Sequence, residues 1–145
     1  MVSIEELAEG FNAALNAHDA TKIGEHVAED ITYWEANLPE PINGREAVEA
    51  HFRANWEAFP DASIRVVNRL VSGDSLAEEG EWTGTNTGPI QMGPDQTVPA
   101  TGKQARGAYV AVVETSDDKI SSMRIYYDSM TFLAQLGLVE PPSSG

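Results

Sequence analysis

The hydrophobic period of this chain changes at Pro60-Asp61, and that switch limits the folds open to it. Before it, apolar residues recur at helical spacing. Ile4, Leu7, Phe11, Ala14 and Leu15 share one face behind Ser3, a capping residue, with Glu5 and Glu6 in the first turn, where the helix dipole favours anions. Asp19 reads as a second cap, leading a short helix through Ile23 and Val27. A third helix starts at Gly44-Arg45-Glu46, with Val48, Phe52 and Trp56 four apart and Phe59 closing the stripe. Between these helices Ile31-Thr-Tyr-Trp34 is β-branched and aromatic and reads as a strand. Asn37 to Asn43 holds Pro39 and Pro41 and reads as a loop.

After Pro60 the side chains alternate with period two. Strands are expected over Ser63 to Ser72, Ser75 to Thr87, Lys103 to Thr115 and Lys119 to Tyr127. Gly73-Asp74 and Ser116-Asp117-Asp118 read as turns, and Gly88 to Pro99 as a loop. A short last helix near Thr131 to Leu136 ends at Gly137. Helices segregated from strands imply an α+β fold with the helices on one face of a sheet. The expected architecture is a cone: a curved antiparallel sheet wrapped around a long helix, N-terminal helices followed by a strand meander. A cavity inside such a cone is where a ligand would sit. One domain over residues 1–139 is expected, with a disordered tail over 140–145, where Pro141 and Pro142 block regular structure.

Composition narrows the partners. The 145 residues carry 9 Lys+Arg against 23 Asp+Glu, a net charge of −14, so nucleic acid and anionic membrane surfaces are repelled. No stretch approaches a membrane span, and the acidic opening MVSIEELAEGF does not read as a secretory leader, so residence in the cytoplasm is expected. There is no cysteine, which removes disulfides, thiolate metal sites and a cysteine nucleophile. His18, His26 and His51 have no metal-ligand spacing, no glycine-rich phosphate loop opens a helix, and no serine elbow is present. No metal and no cofactor are therefore expected.

Three C-terminal stretches carry a resemblance. They are Gly84-Thr85-Asn86-Thr87-Gly88-Pro89, Pro99-Ala100-Thr101-Gly102-Lys103, and Tyr126-Tyr127-Asp128 followed by Gln135-Leu136-Gly137. Together they resemble the SnoaL-like polyketide cyclase and ester cyclase family, within the nuclear transport factor 2-like superfamily. The likeness runs from about Glu5 to Leu138. Phe11-Asn-Ala-Ala-Leu-Asn-Ala-His-Asp19 and Asn43-Gly44-Arg45-Glu46-Ala47 fit the wider superfamily. The resemblance implies a cystatin-like α+β barrel, a small hydrophobic carbonyl compound as ligand, lyase or isomerase chemistry without a cofactor, and a homodimer formed through the exposed sheet face. Two departures stand out. Asn86 replaces a histidine frequent in the family, and no acidic residue precedes the last aspartate around Ser121-Ser122-Met123.

By the resemblance, Asp128 is the acid/base of an aldol-type ring closure. A single carboxyl in an apolar pocket can take a proton from carbon and return it to an oxyanion, because desolvation raises its pKa. The residues alone offer another role, since an aspartate just before a helix commonly caps it. Parity adds a difficulty. If Met123, Ile125 and Tyr127 face the cavity, Asp128 points away. Glu35, after the first strand, is the second candidate carboxylate: likeness to the related ketosteroid isomerases implies a proton shuttle with Glu35 as base and Tyr109 as hydrogen-bond donor. Trp34, His51, Trp56, Asn86, Tyr126 and Tyr127 are the expected ligand contacts. Each also has an ordinary structural role. The same fold can equally serve as a non-catalytic binding or dimerisation domain.

Overall fold

The computed structural model describes residues 2–93 and 95–140, so the expected tail lies outside the described residues from 141 onward. Helix α1 (Ile4–Asn16) starts where expected: the Ser3 side chain accepts the Glu6 N–H at 3.1 Å. Asp19 caps α2 (Ala20–His26) in the same way through the Lys22 N–H, also at 3.1 Å. Val27, expected to finish that helix, instead opens strand β1 (Val27–Glu35) and is fully buried. A two-residue strand β2 (Ile42–Asn43) follows, in what reads as loop, and then α3 (Arg45–Ala58), the longest helix among the described residues.

The second half is strand-rich, as the period predicts. β3 (Ser63–Ser72), β4 (Ser75–Thr85), β7 (Gln104–Ser116) and β8 (Lys119–Tyr127) pair antiparallel in the order β3-β4-β7-β8. The expected loop 88–99 folds into a separate hairpin of β5 (Ile90–Gly93) and β6 (Gln96–Val98), seated against α3. Helix α4 (Ser129–Gln135) is the last element among the described residues. The sheet order is β2-β1-β8-β7-β4-β3, and β1 lies parallel to β8. The curved sheet is thus mixed rather than purely antiparallel. The cause is chain order: β1 precedes α3, and a parallel pair needs a long crossover in place of a hairpin.

The core lies between the helices and one sheet face. Phe11, Ile23, Ile31, Tyr33, Val48, Phe52, Val113 and Ile120 belong to one buried cluster. A second cluster, around Phe59, Ala62, Ala105 and Leu136, sits where α3 ends and α4 returns. Burial of each large side chain contributes about 1.5–3 kcal/mol. The space between the clusters is not filled, and it holds the site.

Candidate functional site

The cavity has a volume of about 990 Å³, the upper part of the range for small-molecule sites. Strand alternation decides what enters it. From β1 come Tyr33 and Glu35; from β8, Met123, Ile125 and Tyr127; from β7, Tyr109 and Ala111; from β4, Glu78 and Trp82. Helix α3 supplies His51, Phe52 and Trp56 from the other side. His18 stacks on Trp56 at 4.8 Å and meets the Ala62 carbonyl at 2.8 Å, which fixes one wall.

Two hydrogen-bonded carboxylates lie shielded within the lining. At the first, Glu35 Oε1 accepts the Tyr33 hydroxyl at 2.9 Å and His51 Nε2 at 2.5 Å. The side chains of His51 and Glu35 are 19% and 13% exposed, so the pair is shielded but reachable from the cavity. Both hydrogen bonds fall on one oxygen. Burial, with the Glu35 carboxylate beside it, pushes the Tyr33 phenol well above its ordinary range. Tyr127, on the same side, is pushed up by burial and then by Glu35. Both phenols therefore stay protonated donors at neutral pH.

At the second, Glu78 is 2% exposed. Its Oε1 accepts Asn12 Nδ2 at 2.9 Å, and its Oε2 accepts Arg69 Nε at 2.9 Å and Nη2 at 2.7 Å. Tyr109 leans across the Gly80 backbone on β4, where a Cβ would stand 2.5 Å from its Cζ. Its hydroxyl is buried with no hydrogen-bond partner. Tyr109 thus points toward Glu78, not toward Glu35, with which the sequence had paired it.

Asp128 stands at the cavity rim, exposed, and caps α4. Its Oδ1 accepts the Thr131 N–H at 3.0 Å and its Oδ2 the Thr131 hydroxyl at 2.6 Å. The Thr131 hydroxyl, followed by its N–H, lowers the Asp128 pKa, the opposite of the shift a proton carrier at neutral pH requires.

Three expected ligand contacts do not line the cavity. Trp34 and Tyr126 lie on the outer sheet face, one residue out of phase with Tyr33 and Tyr127, and their rings meet at 5.3 Å. Asn86 is fully buried and used up by backbone. Its Nδ2 donates to the Ala58 and Gly88 carbonyls at 3.0 and 2.9 Å, and its Oδ1 accepts the Thr101 N–H at 2.7 Å. His51, Trp56, Tyr109, Tyr127, Glu35 and Asp128 do line it. Tyr33, Asn12 and Glu78 were not anticipated as site residues. The signal for Glu78 was present: it shares parity with Leu76 and Trp82, so a carboxylate sits in an inward-facing row.

A family model described as SnoaL-like polyketide cyclase matches residues 5–136. The chain belongs to the SnoaL-like polyketide cyclase family. Solved structures agree on the fold. TsrD from Streptomyces laurentii is 22% identical with a TM-score of 0.79, over 94% of this chain and 96% of that one. IdmH from Streptomyces antibioticus, a candidate polyketide cyclase, is 24% identical with a TM-score of 0.74, over 92% and 97%. A protein of ketosteroid isomerase-like fold from Catenulispora acidiphila DSM 44928, in complex with trimethylamine, is 19% identical with a TM-score of 0.77, over 94% and 96%. No curated protein sequence matches the chain. Among the described residues no helix is long and apolar enough to cross a membrane.

Proposed function

We propose that the cavity of this SnoaL-like protein carries out cofactor-independent proton transfer on a hydrophobic carbonyl compound, with Glu35 as the proton acceptor. The observation that supports this reading is the division of labour on one carboxylate. Oε1 is held by Tyr33 and His51, while Oε2 has no hydrogen-bond partner among the described residues. A fixed carboxylate with one open oxygen on an apolar wall is the geometry that removing a proton from carbon requires. Glu35 Oε2 takes a proton from the carbon beside a substrate carbonyl. The enolate then either reprotonates at another carbon, an isomerisation, or closes on a second carbonyl, an aldol cyclisation. Glu35 returns the proton in each case. His51 Nε2–H and the Tyr33 hydroxyl hold the charge on Oε1, and the Tyr127 hydroxyl stands on the enolate side.

The test is exchange of the α-protons of 2-tetralone with deuterated water, followed by NMR. The wild-type protein accelerates exchange, Glu35→Gln lowers the rate by about 10²- to 10⁴-fold, and Asp128→Asn leaves it unchanged. The reverse ordering transfers the role to Asp128. Binding of tetralone with no acceleration makes the domain a carrier of small molecules instead. We also propose that a second copy covers the outer sheet face, where Val67, Leu70, Val110 and Tyr126 are exposed.

A further inference from the structure

The Glu78 group has no part in the proton transfer above. Glu78 sits in an inward row of β4 between Leu76 and Trp82, yet it forms an ion pair with Arg69, which is itself held by Glu9 at 3.1 Å. Replacing a buried ion pair with apolar side chains is commonly neutral or stabilising, so packing alone gives no reason for a charge on this wall. A carboxylate offers about four acceptor positions, and Asn12 and Arg69 fill three of them. Nearby, Tyr109 is 9% exposed and lines the cavity, and its hydroxyl is buried with no hydrogen-bond partner.

These two vacancies stand close together. Tyr109 pairs with Gly80 across β4 and β7, and its ring is possible only because Gly80 has no side chain. Glu78 is the next residue on the same face of β4, about 7 Å along the strand. The Glu78 charge reaches the Tyr109 phenol on this stretch of the cavity wall, and one oxygen hydrogen-bonded to both groups spans about 5.5 Å in total. The phenol, pushed up by burial and by the Glu78 charge, is a donor, and the carboxylate is an acceptor. The bridging atom must therefore accept and donate at once. A hydroxyl does so; a ketone or ether oxygen can only accept, and a ligand carboxylate is repelled by Glu78.

We propose that Glu78, Asn12 and Tyr109 form a second polar subsite that binds an alcohol or phenol hydroxyl of the substrate. The subsite rests on the reading that the cavity takes a small molecule, and it extends that reading to a substrate with a hydroxyl remote from the reacting carbonyl. The test measures dissociation constants of 2-naphthol and 2-methoxynaphthalene by calorimetry. In the wild type the naphthol binds about tenfold tighter or more. Tyr109→Phe, which keeps the ion pair, and Glu78→Gln each bring the ratio to within about twofold. Glu35→Gln keeps the wild-type ratio. If Glu78→Gln does not fold, Tyr109→Phe decides alone. A wild-type ratio near one, a ratio that survives Tyr109→Phe, or a ratio lost only in Glu35→Gln overturns the subsite. Deuterium exchange unaffected by Glu35→Gln overturns the proton-transfer reading and leaves the naphthol ratio standing as its own result.

Discussion

Replacing Asn86 with alanine separates a clamp from a ligand contact. The side chain holds three backbone groups from separate segments: the end of α3 at Ala58, the turn at Gly88, and Thr101 ahead of β7. Its own backbone adds bonds to Lys103 and Gly102 at 2.9 and 2.7 Å. Asn86→Ala removes the three side-chain bonds. The Ala58 carbonyl keeps the Gly88 N–H at 3.3 Å, whereas the Gly88 carbonyl and Thr101 N–H lose the side chain that holds them. At about 1 kcal/mol net per bond the loss is about 3 kcal/mol. For a domain of this size that lowers Tm by about 6–12 °C, and with a urea slope near 2 kcal/mol/M it moves the midpoint by about 1.5 M. Urea titrations followed by tryptophan fluorescence and far-ultraviolet circular dichroism check this.

A companion variant sharpens the same prediction. Asn86→Asp keeps an acceptor for Thr101 but turns a second oxygen toward two carbonyls and buries a charge. Its folded-state pKa is raised, so the penalty is full at neutral pH and is relieved as pH falls. Asn86→Asp is therefore less stable than Asn86→Ala at pH 7, and the gap narrows in acid. A loss below about 1 kcal/mol for the alanine variant, or weakened naphthol binding at unchanged stability, refutes the clamp and returns Asn86 to ligand contact.

Burial raises the phenols of Tyr33, Tyr109 and Tyr127, and a raised acid favours the protonated form in the folded state. Stability is therefore undiminished below the ordinary tyrosine value of about 10 and falls as pH rises above it; these three phenols ionise together with unfolding, and early tyrosinate absorbance from them in a folded protein refutes the assignment. Val110→Lys on the outer face converts a dimer to a monomer in sedimentation velocity without loss of helicity; a wild-type monomer at micromolar concentration refutes the second copy.

The fold was legible because its signals are local. Ser3 and Asp19 cap the helices the sequence assigned to them, and the turn at Asp117 and Asp118 has both residues at positive φ, 52° and 60°, the backbone of a tight hairpin. Parity placed Tyr127 inside, and it places Trp34 and Tyr126 outside by the same rule. What parity does not contain is the partner. Asp128 and Glu35 are both carboxylates near strand ends, and the chain does not say which one is left an open oxygen. That is decided by Thr131, three residues along, which closes both oxygens of Asp128. His51, sixteen residues away on α3, closes only one oxygen of Glu35, the one Tyr33 already holds. Nothing beyond its parity singles out Glu78 in the sequence, because its partners, Arg69 on β3 and Asn12 on α1, come from elements whose meeting is tertiary. A charged residue in an inward row is thus the position where local reading most underestimates function. The row asks for an apolar side chain, and only the rest of the fold can justify anything else.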